Sequence, residues 1–290
     1  MMDDTYRTAQ VAPAMRVLLT GAAALVILAG IPLFFFSEQT ERYFAWTIQP
    51  PLTAAFLGAG YWSVGAAVVM ALREREWTRM RVIMPAVTIG VSLILLASLL
   101  HLDRFHLNSP IPTARGWAWA WLILYVLLVL SLVAALWQQR RQRERELPRQ
   151  RELPVWLRYA IAVLGFVLLA IGIALILAPA QAGALWPWML TPLTGRMTGA
   201  WLTAIGIAML AAARENDYAR IYVAAATGIV YAGLQFVNLV RYPGTVEWSR
   251  PGAWLYVALL LVLAVVSAAS LRGYLALRSV RAGQPHGDQA

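Results

Sequence analysis

Eight apolar runs, each about as long as a bilayer is thick, constrain this chain more than any other feature. They cover approximately Val17–Phe36, Leu52–Leu72, Val82–Leu100, Trp117–Trp137, Ala160–Ala178, Met197–Ala213, Ile221–Val240 and Ala253–Leu271. A helix crosses the hydrocarbon core with about 17–25 residues. Backbone groups in hydrocarbon must be bonded within their own segment, and a barrel would need alternating strands of about ten residues, so these runs predict helices. The expected fold class is all-α, a polytopic transmembrane bundle of eight spans. Composition agrees: 60% of the 290 residues are hydrophobic and 13% charged, too few polar groups to cover a soluble globule. The first run is longer than a usual signal-peptide core, and no small-x-small pattern follows Phe36, so it reads as a retained anchor. The chain has no cysteine, which excludes disulfides, thiolate metal sites, iron–sulfur clusters and covalently held haem.

All 24 basic residues are arginine, and they are unevenly placed. Assigning alternate loops to opposite sides puts 18 on one side, including Arg73, Arg75, Arg79, Arg81, the run from Arg140 to Arg158, Arg214 and Arg220, and six on the other. Arginine excess marks the cytoplasmic side, so a plasma (inner) membrane protein with both termini inside is expected. The net charge of +10 then reflects orientation and contact with anionic lipid. The bases alternate with Glu over separate segments, unlike a nucleic-acid surface. Trp46, Trp117, Trp119, Trp121, Trp186, Trp188, Trp248 and Trp254 fall at the expected outer boundary, as an interfacial belt would.

The chain repeats itself. Pro51–Val82 aligned without gaps on Pro192–Val223 gives 12 identities in 32 positions, against roughly three by chance. Pro51-Leu52-Thr53 matches Pro192-Leu193-Thr194, Gly58 matches Gly199, Gly65 matches Gly206, and Arg73-Glu74 with Arg79 matches Arg214-Glu215 with Arg220. The unit contains four spans, an even number, so the expected repeat is parallel, about an axis along the membrane normal. It divides the chain into a first repeat (1–137), a charged cytoplasmic linker (138–156), a second repeat (157–274) and a disordered cytoplasmic tail (275–290). Pro-Leu-Thr after an interfacial Trp reads as a helix start. Ala54 with Gly58, and Gly195 with Gly199, are spaced for close helix approach, which makes the second and sixth spans the expected central pair. In the inner motifs REREWTR and RENDYAR, Glu76 with Arg79 and Asp217 with Arg220 are spaced to pair on a helical turn.

Chemistry-bearing residues are few. Arg196 stands where the first copy has Ala55. Tyr231, Gln235, Asn238 and Tyr242 recur at spacings of four, three and four, which puts them on one helical stripe ending at Arg241. Polar side chains at membrane depth face protein or water, so Arg196, Tyr231, Gln235, Asn238 and Arg241 form a candidate pocket for an anionic ligand. The competing reading has Arg196 snorkelling and the amides bonding across a helix interface. His101, Asp103 and His106 lack the spacing of metal ligands on one helical face, so no metal is assigned. No P-loop, nucleophile elbow, metalloprotease helix or carboxylate pair stands out, and no cofactor is expected. The expected function is that of a non-catalytic membrane protein or subunit acting through association, in the bilayer, with a membrane-protein partner or a second copy. The alternative is a transporter or binding protein for a small solute.

Overall fold

The structure, a computed structural model, describes residues 13–74, 77–141 and 148–282. Among these residues the chain is helical, with one isolated bridge between Trp46 and Phe105 and no strand. Eight long helices follow one another: α1 (Pro13–Phe35), α2 (Pro51–Arg73), α3 (Met84–Leu99), α4 (Pro112–Arg140), α5 (Val155–Leu177), α6 (Pro192–Glu215), α7 (Tyr218–Arg241) and α8 (Pro251–Ala282). Proline occupies the first turn of α2, α3, α4 and α6 and precedes α5, where its missing N–H has no helical partner to lose.

Six of these helices, α2 and α4 to α8, are long and apolar enough to cross a membrane. α1 joins them only together with Ser37–Tyr43, from which it is bent by 89°. α3 has 16 residues, about 24 Å at 1.5 Å each, short of the roughly 30 Å hydrocarbon core. Residues at the start of its expected run are drawn into a turn instead, with Ile83 N–H bonded to Met80 O at 3.0 Å, and Pro85 confines the helix start to that point.

The helices associate in matching pairs. α1 lies along α2 as α5 lies along α6, and α3 lies against α4 as α7 lies against α8. Across the halves α2 packs on α7 and α3 on α6, while α1 touches α4 and α5 touches α8. The small residues expected to join α2 to α6 mostly make their close approaches elsewhere. A Cβ added at Gly58 would stand 2.6 Å from Phe34 N of α1, and one at Gly199 would stand 2.6 Å from Gly172 O of α5. Gly206 faces Gly165 O in the same way at 2.7 Å, whereas Gly195 comes nearest to the Pro179 side chain at 3.2 Å, with the Pro179 backbone at 3.8 Å. Ala54 is fully buried. α2 and α6 meet at Gly60, whose added Cβ would lie 3.0 Å from the Trp201 ring.

Four tryptophans expected in an interfacial belt, Trp46, Trp121, Trp186 and Trp188, are buried. Trp46 stacks edge-on with Phe44 and Trp121, and Trp186 with Trp188 and Tyr256. Trp119, Trp248 and Trp254 are exposed. Thr194 completes a capping box with Thr191, whereas its counterpart Thr53 accepts from Trp188 Nε1 of the other half at 2.9 Å. The linker's described part packs down: Gln150 N–H donates to Asp217 Oδ2 at 2.9 Å and Leu153 N–H to Asn216 Oδ1 at 3.3 Å. Residue 275, where the tail was expected to begin, lies inside α8, which continues to Ala282; residues 283–290 lie outside the described ones.

Candidate functional site

The five polar residues singled out in the sequence are divided among three places. Arg196, on the first turn of α6, donates from Nη1 to His101 Nε2 at 3.1 Å, and the other ring nitrogen of His101 donates to Ala97 O at 3.0 Å. Its partner is therefore the end of α3 and not α7. Gln235 and Asn238 are fully buried. Gln235 Nε2 donates to Phe56 O of α2 at 3.1 Å, and its Oε1 accepts from Asn238 Nδ2 and from Tyr256 OH of α8, both at 3.2 Å. This triad binds α7 to α2 and α8. Arg241 donates to Phe34 O at the end of α1 at 2.6 Å, with Tyr242 OH 2.6 Å from Ser37 Oγ beside it. Tyr231 is buried edge-on against Phe56. His106 is engaged by Phe44 O at 3.1 Å and Thr47 Oγ1 at 3.0 Å, and Asp103 by Arg104 at 2.9 Å. Among the described residues no cluster of His, Asp and Glu is arranged to hold a metal.

At the opposite end, the repeated Arg-Glu motif forms a crossed contact. Glu74 binds Arg79 of its own half at 3.3 Å and receives the hydroxyl of Tyr222 from the other half. Glu215 binds Arg220 of its own half at 2.7 Å and receives Arg81 from the other, through Nε at 2.7 Å and Nη2 at 2.8 Å. Positions 81 and 222 correspond in the alignment of the copies. Among the described residues each glutamate thus has a partner at home and one across the interface, Arg81 hydrogen-bonding through Nη2 with Nε in ion-pair contact. Asp217 caps α7 through Ala219 N–H at 2.9 Å and lies 3.5 Å from Arg220. Glu76 lies outside the described residues. Neither Arg81 nor Tyr222 was singled out in the sequence; Arg81 lies in a run of interfacial arginines and Tyr222 in an apolar run, so nothing local marks them.

Between the two ends is a cavity of about 220 Å³ to which all eight long helices contribute, with Tyr61, Ile94, Tyr125, Trp201, Ile205 and Tyr231 among its walls. Arg79, near one end, is the one charged residue in its lining among the described residues. Two clefts adjoin it. One, of about 370 Å³, lies between α1 and α4 and shares Val26, Tyr61, Tyr125 and Leu128 with the cavity. The other, of about 180 Å³, lies between α5 and α8 and shares Ile205, Tyr231 and Leu263 with it. Pro112, Trp117, Trp121 and Leu124 of α4 stand 139 positions before Pro251, Tyr256, Leu260 and Leu263 of α8. Tyr61 and Tyr125, both buried and hydroxyl-bonded to each other, stand where the first cleft meets the cavity. In the sequence each is one tyrosine in an apolar run, and only their pairing across 64 positions makes them notable.

Comparison with protein-family models, with curated proteins and with solved structures finds no match to this chain.

Proposed function

We propose that the chain is an eight-span integral membrane protein of two parallel four-helix halves that acts by binding rather than by catalysis. The cavity between the halves is its working site. The equivalent pairing of helices in each half, the aligned Glu74 and Glu215 contacts and the aligned clefts support the two-half reading. The arginine-rich ends carrying Glu74 and Glu215 then face the cytoplasm of an inner membrane, with both termini on that side.

The observation that carries the binding reading is the wall itself. Helices from both halves surround a space larger than a packing defect, lined almost entirely by apolar side chains, with no carboxylate, imidazole or thiol among the described residues of its wall. An apolar cavity of about 150 Å³ already stays dry and takes up small apolar molecules. A solute pocket around Arg196 has less support, because that guanidinium is engaged by His101 and Gln235 is bonded to α2 and α8, with Asn238 bonded to Gln235.

Native mass spectrometry of the full chain released from its membrane, beside an Ala208→Phe variant that fills the cavity wall, tests the reading. A bound molecule retained by the wild type and lost from the variant is expected. An empty wild type together with a more heat-stable variant would reduce the cavity to a packing void. The same spectra report a protein partner or a second copy if either is held.

A further inference from the structure

We propose that the cavity holds one hydrocarbon chain of a membrane phospholipid, admitted sideways from the bilayer through the cleft between α1 and α4. This rests on the cavity being a binding site and names what it binds.

The wall chemistry sets the class of ligand. With Arg79 as the one charged residue among the described residues of its lining, the cavity offers a polar solute almost nothing in exchange for its hydration, whereas a hydrocarbon chain already in lipid gives up no polar contact in moving to such a wall. Polar groups at the threshold are few: the hydroxyl of one of Tyr61 and Tyr125 donates to the other.

The route follows from shape. The α1–α4 cleft is lined from Thr113, at the start of α4, to Leu128, and continues into the cavity along Leu132 and Leu18. Thr113 to Leu128 spans about 22 Å at 1.5 Å per residue, more than the roughly 15 Å half-thickness of the hydrocarbon core. A chain whose headgroup stays at the Thr113 end therefore passes the midplane inside the protein.

The two clefts are unequal for an identifiable reason. Gly116 of α4 aligns with Leu255 of α8, and both line their clefts. A Cβ added at Gly116 would meet nothing within 4 Å. The glycine keeps open in the first half what the leucine narrows in the second, and the first cleft has about twice the volume.

The test uses the full chain in nanodiscs containing phosphatidylcholine with a photoactivatable diazirine near the end of one acyl chain, followed by peptide mapping. In the wild type, label is expected on Ile94 or Ile205 in the cavity as well as on outward residues such as Leu130 and Phe166, which are 63% and 66% exposed. Gly116→Leu is expected to reduce the cavity label severalfold and leave the outward label unchanged. Gly233→Leu, the same change at an exposed glycine with equally open surroundings, is expected to alter neither. Cavity label undiminished by Gly116→Leu would overturn the α1–α4 route. No cavity label in the wild type would overturn the lipid assignment; a polar molecule retained in native mass spectra of that sample would leave the binding reading standing, and an empty protein would remove both.

Discussion

Arginine has no acceptor, so its contact with His101 fixes the tautomer of that ring: the proton lies on Nδ1, toward Ala97 O, and Nε2 accepts from Arg196. Arg196 thereby ties α6 to the end of α3. Replacing it with Ala is expected to lower stability by about 0.5–1.5 kcal/mol and to leave any cavity ligand in place, as thermal unfolding in detergent and native mass spectrometry would show. Loss of the ligand would make the arginine part of its site. At this scale the sequence marks Arg196 by its oddity beside Ala55 but hides its partner, which lies 95 positions away. Gln235 and Asn238 are similar: their stripe on α7 is legible, while the carbonyl of Phe56 and the hydroxyl of Tyr256 that complete it come from helices whose packing order no spacing encodes.

Helix positions were legible because hydrophobicity and proline placement act locally. Each expected run contains a helix, and the shortfall in α3 arises where Pro85 and the Met80–Ile83 turn limit its first turns. Helix partners were less legible. The small residues at Gly58 and Gly199 signal a close approach, but a glycine does not name the helix that approaches it. Their neighbours are the preceding helices α1 and α5, which turn back onto α2 and α6 through segments 36–50 and 178–191. Because a Cβ at Gly199 would overlap the backbone oxygen of Gly172, Gly199→Val is expected to destabilise by about 1–3 kcal/mol. Gly195→Ala, nearest to the Pro179 side chain, is expected to be nearly neutral. Equal unfolding temperatures for the two variants would show that α5 and α6 are not packed through this contact.

Across the whole molecule the halves are tied by polar contacts at both ends and meet again mid-helix at Gly60 and Gly90, around the cavity. The crossed contacts predict that Glu215→Gln, which weakens the Arg81 and Arg220 pairs together, costs about 2 kcal/mol, more than Glu74→Gln, whose cross-partner is an uncharged tyrosine. Denaturation of both variants in the same detergent checks the order, and equal losses would argue against the Arg81 contact. The orientation is checked separately: a periplasmic reporter fused after Asn108 is expected to be active and one fused after Arg143 silent. The identities between Pro51–Val82 and Pro192–Val223 are legible in the sequence; the space between the two halves is not, because a cavity is a property of eight surfaces at once.

That space depends above all on α3 of one half lying on α6 of the other, where a Cβ added at Gly90 would come within 2.7 Å of Ala204 Cβ. The chain has no cysteine, so a Gly90→Cys, Ala204→Cys pair reports that contact alone. A specific protease site inserted between Leu147 and Pro148 separates the halves once cut. After mild oxidation in the membrane and cleavage, one band is expected on a non-reducing gel, becoming two when reductant is added. Two separate bands without reductant, from a protein whose cysteines are shown to be free to react, would contradict the arrangement of the halves and the cavity with it.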